Sequence, residues 1–519
     1  MDTKALRQKI LDLAIRGKLV PQDPNDEPAE VLLERIREQK QQMFKEGKLK
    51  KKDIKNDTII FKGEDNLHYE KFADGTVKCM EDEIPFEVPE GWAWCKLNDI
   101  YNFIDYRGAT PTKITNGIPL VTAKNVKSGY IDYTIDDYIS EEEFKERQQR
   151  GISKKGDILF TTEAPLGNAA LADMEKFSAG QRLITFQQYG SKNELINYVM
   201  LMFILSDFFQ QQLYVNKTGS TVAGIKAAIL KTLWIPVPPY NEQLRISNTL
   251  KSAINLIDSI SKNKEILSTS ISNTKSKILD LAIRGKIVPQ DPNDEPASVL
   301  LERIRAEKEE LIKQGKIKRD KKESVIFKGD DNSYYEKIGN KVNCIDEEIP
   351  FELSEGWAFI RLKTAWELIS GRDLSPSEYN DKNDGIPYIT GASNFRNGHI
   401  SLVRWTTVPQ VITRRGDLLL TCKGTIGEIA HNSFGEAHIA RQIMAIRNIY
   451  SLNVDFLALC IEYSMTKIKQ AANGLIPGIS REDILNLVIP IPPTKEQENI
   501  CNKLKATFSA IEHIEKSLN

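Results

Sequence analysis

At 519 residues, with 40% hydrophobic and 28% charged residues, the chain is too long for one compact core and has the composition of a globular protein built from several units. Its formal net charge of -1 rules out an overall positive field as the source of any affinity for nucleic acid, so such affinity has to be local. The longest apolar stretch, Tyr198 to Leu205, is far too short to span a bilayer, and the first residues lack the long apolar centre of a secretory signal. No membrane association and a cytoplasmic location are expected.

In chain order, residues 1–40 read as a helical region. The segment from Lys9, KILDLAIRGKLVPQDPNDEPAEVLLERIREQK, places Gly17 at a helix C-cap, a turn at Pro24 and Pro28, and a second helix from Ala29 to Gln39. Residues 41–82 read as a connector, lysine-rich and exposed over Lys45 to Lys55. Residues 83–235 form a first mixed unit with short apolar runs such as Gly117 to Thr122 and Asp157 to Thr162, and helices over Glu141 to Arg150 and Glu194 to Leu213. From residue 236 to 308 the pattern is helical again. Asn241 can cap it, and Leu250, Ala253, Ile257, Ile260, Leu267, Ile271, Ile278 and Leu281 follow coiled-coil spacing over about 40 residues, about 60 Å of helix. A second connector (309–347, lysine-rich over Lys313 to Lys322), a second mixed unit (348–489, with a helix over Val454 to Ala472) and a C-terminal helix (490–519) complete the chain. Thr494 and Gln497 carry a capping-box signature at the start of that last helix.

The chain repeats itself. The segment from Lys277, KILDLAIRGKIVPQDPNDEPASVLLERIRAEK, nearly copies the one from Lys9. Matching landmarks follow in order: Glu83-Ile84-Pro85-Phe86-Glu87 with Glu348-Ile349-Pro350-Phe351-Glu352, Gly91-Trp92 with Gly356-Trp357, and Gly156-Asp157 with Gly416-Asp417. The last are Ile235-Pro236-Val237-Pro238-Pro239 with Ile489-Pro490-Ile491-Pro492-Pro493, each leading to a Glu-Gln pair (Glu242-Gln243, Glu496-Gln497). Between them most side chains differ, so a whole half-molecule is duplicated with a constant frame and diverged contents. The last helix stops before its equivalent of Ile278. Leu504, Ile511 and Leu518 are continued in sevens by Leu6 and Leu13 if Asn519 is joined to Met1, which predicts circularly permuted ends. The fold class is α+β: two mixed α/β domains and long antiparallel coiled-coil helices.

Motifs of catalysis are missing. Val237-Pro238-Pro239-Tyr240 lacks the polar first residue with which amino-methyltransferases hold a flipped adenine, and reads as a strand running into a helix. There is no G-x-x-x-x-G-K-[ST] loop and no G-x-G-x-x-G turn. The six cysteines form no C-x-x-C pair, and His68, His399, His431, His438 and His513 have no metal-ligand spacing. No catalytic, cofactor or metal site is expected in this chain.

The duplicated I-P-x-P-P-x-x-E-Q and L-A-I-R-G-K-[LI]-V-P-Q blocks around two diverged domains resemble the specificity subunits of type I restriction-modification enzymes, over essentially the whole chain. The resemblance implies two target-recognition domains, each reading half of an asymmetric bipartite sequence in double-stranded DNA. It also implies a coiled coil that docks two methylation subunits and, through them, restriction subunits. S-adenosylmethionine, ATP and Mg would then belong to the partners, as would adenine methylation and ATP-dependent cleavage. Because Arg suits guanine, Asn and Gln suit adenine and cations position phosphates, the DNA-binding candidates in turn contexts are Arg107, Lys113, Lys124, Asn125, Lys127, Gln181 and Arg182 in the first domain. In the second they are Arg372, Ser393, Asn394, Arg396, Lys423, Arg441 and Gln442. Arg16, Leu19 and Val20, with Arg284, Ile287 and Val288, are candidates for docking the methylation subunits or for packing within the chain. A single-chain nuclease or methyltransferase, or the specificity chain of another bipartite system, are the alternatives.

Overall fold

The computed structural model describes residues 2–54, 57–72, 74–107, 110–189, 194–219, 223–315, 319, 323–396, 398–450, 452–471 and 478–518. Parts of both lysine-rich connectors, residues 55–56, 316–318 and 320–322, and both ends of the notional Asn519–Met1 join lie outside them. The chain divides into two units, residues 1–264 and 265–519.

In the first unit the duplicated block folds as expected. Asp2 accepts hydrogen bonds from the Lys4 and Ala5 amides at 2.9 and 3.1 Å and starts the helix Thr3–Ile15. Gly17, at φ +65°, ends it, and the Lys18 N–H turns back to the Leu13 carbonyl at 2.8 Å. This helix runs antiparallel to the beginning of the helix Tyr240–Ile283: Thr3 Oγ1 meets Ser261 Oγ at 2.8 Å and Arg7 pairs with Asp258. Ile246, Leu250, Ile254 and Ile257 are buried along that stretch. Leu267, placed in the apolar seam by its spacing, is 41% exposed instead. It lies past the point where the Thr3–Ile15 helix begins.

The connector is more structured than its composition suggests. Ile59–Lys62, His68–Lys71 and Val77–Cys79 form an antiparallel three-stranded sheet, turned at Asn66 with φ +64°. Such short strands with charged outer faces leave no clear two-residue alternation to read.

The mixed domain is built on the antiparallel sheet Tyr101–Asp105, Leu183–Gln188, Ile158–Thr161, Ala169–Leu171, in that spatial order. Ile158, Phe160, Ile184 and Phe186 pack on one side with the apolar helix Asn197–Ile204. Leu159, Ala170 and Leu183 face a second core with Val121, Val126 and Phe177. Covering on both faces is why these strands read as continuous apolar runs. The single helix expected over Glu194 to Leu213 is two, Asn197–Ile204 and Asp207–Val215, because Ser206 caps the second.

The repeated motifs close the domain. Its first strand, Ala93–Lys96, pairs antiparallel with its last, Trp234–Val237. The neighbouring Trp92 indole donates to the buried Glu242 carboxylate at 2.9 Å. Gln22 donates to the other Glu242 oxygen at 3.1 Å, the Ala29 N–H donates to the Gly91 carbonyl at 2.8 Å, and Arg16 lies 4.4 Å over the Phe86 ring. The blocks L-A-I-R-G-K, P-Q, E-I-P-F-E, G-W and P-P-x-x-E-Q are thus the parts of one junction.

The second unit repeats the plan with Trp357 donating to Glu496 at 3.0 Å, Ala358–Arg361 paired with Val488–Ile491 and Arg284 over Phe351 at 4.9 Å. The C-terminal helix Thr494–Leu518 packs here, Lys275 reaching Glu515 at 2.7 Å. The capping box expected at Thr494 and Gln497 is not formed. Gln497 donates instead to the Pro492 carbonyl at 2.8 Å, as Gln243 does to Pro238 at 3.0 Å, and Asn241 lies inside its helix. A carbonyl left without a ladder partner beside two prolines is the stronger demand.

The repeated Gly-Asp pair has a further role. Asp157 Oδ2 accepts from the Lys154 amide and from Gln187 Nε2, each at 2.8 Å, whereas Asp417 has Arg447 as an ion-pair partner at 2.8 Å. Burial, only partly offset by those two hydrogen bonds, pushes the Asp157 carboxyl up from 3.8 to about 6.

Two outcomes are expected. The folded form holds the Asp157 proton more tightly than the unfolded chain does, so its stability from this group is complete below pH 4 and lost as pH rises through 6. Asp157→Asn keeps an acceptor for both donors and should stabilise the protein by about 2 kcal/mol at pH 8, the gain fading towards pH 4 in thermal melts. A Cβ on Gly17 would lie 2.8 Å from Pro89 Cδ, whereas at Gly47, also at positive φ, it meets nothing. Gly17→Ala should therefore cost roughly 1–3 kcal/mol more than Gly47→Ala in denaturant unfolding.

Candidate nucleic-acid interface

Antiparallel pairing brings the C-terminal ends of Tyr101–Asp105 and Ile158–Thr161 to the same edge as the start of Leu183–Gln188. The loops leaving that edge carry Arg107, Glu163, Gln181 and Arg182, which line an open polar cleft of about 350 Å³ together with Thr218 and Lys226. Lys113, Lys124, Gln181 and Arg182 line an adjoining hollow of about 180 Å³. Five of the seven sequence candidates of this domain are thereby brought together, and Lys127 sits apart, 3.8 Å from Asp132.

Most of the cations are held by acids. Asp105 grips Arg107 through Nε and Nη2, the shortest bond 2.6 Å, and this hydrogen bonding raises the arginine's pKa further. Arg182 lies 3.2 Å from Glu163 and Lys113 2.6 Å from Asp137. Gln181 accepts from Thr110 at 2.7 Å. Lys124 is exposed and makes no ion pair among the described residues. The arrangement is a set of partly paired donors and acceptors at the surface, suited to exchanging protein partners for phosphates and base edges.

In the second unit the corresponding sheet edge carries Arg372, Lys423, Arg441 and Gln442, and the loop after Ile386–Ile389 carries Ser393 and Arg396, all exposed. Arg441 is joined to Asp373 at 2.7 Å. Behind it, buried His438 accepts the Gln410 and Val411 amides on Nδ1 at 3.2 and 3.1 Å, so Nε2 carries the proton and donates to the Arg372 carbonyl at 2.7 Å. Burial lowers its pKa, and the neutral ring is a strut for the Arg372 loop.

Two candidates are corrected. Asn125 is 3% exposed and Asn394 1%. Asn125 accepts from Thr122 through one amide atom and donates to the Asp132 and Ile135 carbonyls through the other. Asn394 does the same between Thr390 and the Ser401 carbonyl. Both build the loop after Ile118–Val121 or Ile386–Ile389, so neither amide is available to a base. Nothing in Lys124-Asn125-Val126 or Ser393-Asn394-Phe395 as sequence reveals that the amide points inward.

The docking candidates also turn inward. Arg16 is paired with Asp12 at 2.7 Å and stacked on Phe86, Arg284 likewise with Asp280 and Phe351. Leu19 and Val20, and Ile287 and Val288, are half-buried against the core of their own unit. Conversely, Glu163, Thr218 and Lys226 belong to the cleft although sequence reasoning passed over them. The Gly-, Ser- and Thr-rich run Lys217 to Lys226 was the available signal for two of the three.

The chain belongs to a known class. The family model described as the type I restriction modification DNA specificity domain matches residues 89–268 and 354–519, and the chain belongs to that family. It is 27% identical to the EcoAI specificity subunit and 26% identical to the EcoEI specificity subunit, both type I restriction enzymes of Escherichia coli. Those matches cover 97% and 99% of this chain and 90% of each relative. Its fold is similar to that of a chain in a solved type I R-M system, with a TM-score of 0.55 at 18% identity, covering 84% of this chain and 94% of the other. No described helix is long and apolar enough to cross a membrane.

Proposed function

We propose that this chain selects the DNA sequence on which a type I restriction-modification complex acts, each unit reading one half of an asymmetric bipartite target in double-stranded DNA. The observation that carries this is the repetition of one polar edge on two units with a constant frame and different side chains. Identical junctions suit two copies of one partner, and unlike edges suit two unlike half-sites. The helices Thr3–Ile15, Tyr240–Ile283 and Thr494–Leu518 serve as an antiparallel coiled-coil spacer with permuted ends, on which two methylation subunits dock and to which restriction subunits attach through them. The half-buried Leu19, Val20, Ile287 and Val288 offer their outer edges to that docking. Adenine methylation and ATP-dependent cleavage, with S-adenosylmethionine, ATP and Mg, are supplied by those partners. The names of the relatives, all specificity subunits, support this division of labour.

The direct test is methylation mapping after co-expression with the methylation subunits, repeated with residues 348–489 replaced by the corresponding domain of another specificity subunit. One half of the methylated motif should change and the other stay. A change in both halves, or in neither, would overturn the assignment, as would methylation or cleavage by the purified chain alone. Lys124→Ala should weaken binding of the complex about equally on all sequences and reduce the slope of log affinity against log salt by about 1, read by titrating duplex DNA at several salt concentrations.

A further inference from the structure

The two polar edges can be superposed residue by residue. Gly156 to Ala172 matches Gly416 to Asn432 without a gap, and backbone hydrogen bonds extend the correspondence. The Thr162 N–H donates to the Arg182 carbonyl at 3.1 Å and the Ile225 N–H to the Thr162 carbonyl at 3.1 Å. In the second unit the Cys422 N–H donates to Gln442 at 2.8 Å and the Ile479 N–H to Cys422 at 2.9 Å. Gly180 and Ala440 occupy matching places, donating to Val121 at 2.7 Å and to Ile389 at 2.9 Å. Glu163 and Lys423 form matching bridges to Gly224 and Gly478.

This frame pairs Glu163 with Lys423, Gln181 with Arg441 and Arg182 with Gln442. At the first position the charge is inverted, and at the other two a glutamine and an arginine have changed places. A carboxylate only accepts hydrogen bonds and an ammonium only donates them, so the two cannot satisfy the same base edge. Cytosine presents an amino donor in the major groove, guanine the O6 and N7 acceptors. A purely supporting role does not explain the pair: Glu163 touches Arg182, but its counterpart Lys423 is a cation, and Arg441 takes its acid from Asp373, elsewhere in the frame.

Resting on the DNA-reading function above, we propose that residues 163 and 423 determine specificity at the same step of the two half-sites. Glu163 selects a cytosine on the strand it faces, through the base's amino group, and Lys423 a guanine at the matching place, through O6 and N7, so the two prefer opposite orientations of a G·C pair. Beside them the Gln181-Arg182 and Arg441-Gln442 pairs read neighbouring bases in opposite order.

The test is methylated-motif mapping of the full chain co-expressed with its methylation subunits, as wild type, Glu163→Gln and Lys423→Gln. Glutamine also suits adenine. Glu163→Gln should therefore shift preference at one base position of the first unit's half-site by roughly tenfold to a hundredfold, the range of one good base contact, and leave the other half unchanged. Lys423→Gln should do the same in the other half. A uniform fall in methylation with no altered base preference would make Glu163 a positioning residue for Arg182 and overturn the inference, as would two unchanged motifs. Both side chains are at the surface, and if Glu163→Gln accumulates poorly the Lys423 variant alone decides. A wild-type motif in two parts alongside those negative results leaves the functional reading standing, whereas a wild-type motif not in two parts removes that reading itself.

Discussion

A buried indole-to-carboxylate hydrogen bond, Trp92 to Glu242 in one unit and Trp357 to Glu496 in the other, is the contact on which each unit depends. A carboxylate taken out of water without such donors carries a cost of several kcal/mol, and burial does raise the pKa of both glutamates. The donors must therefore arrive together: the tryptophan from the residue just before the first strand of the domain, the glutamate from the helix after its last strand. In the first unit Gln22 comes from the loop after the N-terminal helix. Satisfying one charge fixes where a helix leaves, where a strand enters and how closely the Gly17 loop approaches Trp92.

That demand explains why the frame is constant while the contents are free to change. Residues at the junction answer to several partners at once, so substitution there leaves a buried polar group unmatched. Residues on the polar edge answer mainly to solvent or to an external ligand. Glu163, Gln181 and Arg182 can become Lys423, Arg441 and Gln442 while the backbone hydrogen bonds beneath them stay the same. Asn125 and Asn394 mark the boundary between these regimes, being loop builders kept the same in both units inside a region that otherwise diverges.

The sequence made the duplication and the helix-ending glycines legible because each leaves a local or repeated signal. The three-stranded sheet at Ile59 to Cys79 escaped it, since short strands on a charged surface have no pattern to show. The polar edge was legible in outline, with Arg107, Lys113, Lys124, Gln181 and Arg182 meeting in adjoining hollows. Orientation was not: nothing in the run Thr122 to Lys127 says that Asn125 points inward and Lys124 outward. Glu163 was overlooked because a search for DNA contacts by charge discards acids, although a carboxylate is the natural acceptor for an amino group on a base.

The pairing of first strand with last, Ala93–Lys96 with Trp234–Val237 and Ala358–Arg361 with Val488–Ile491, means that each domain enters and leaves its scaffold through two adjacent backbone segments about 5 Å apart. A domain attached in this way is a cassette. Any exchange of chain segments that breaks and rejoins at the two repeated junctions would carry one intact polar edge into a scaffold that already fits it, so that surface can be replaced by shuffling whole domains without a new junction having to evolve.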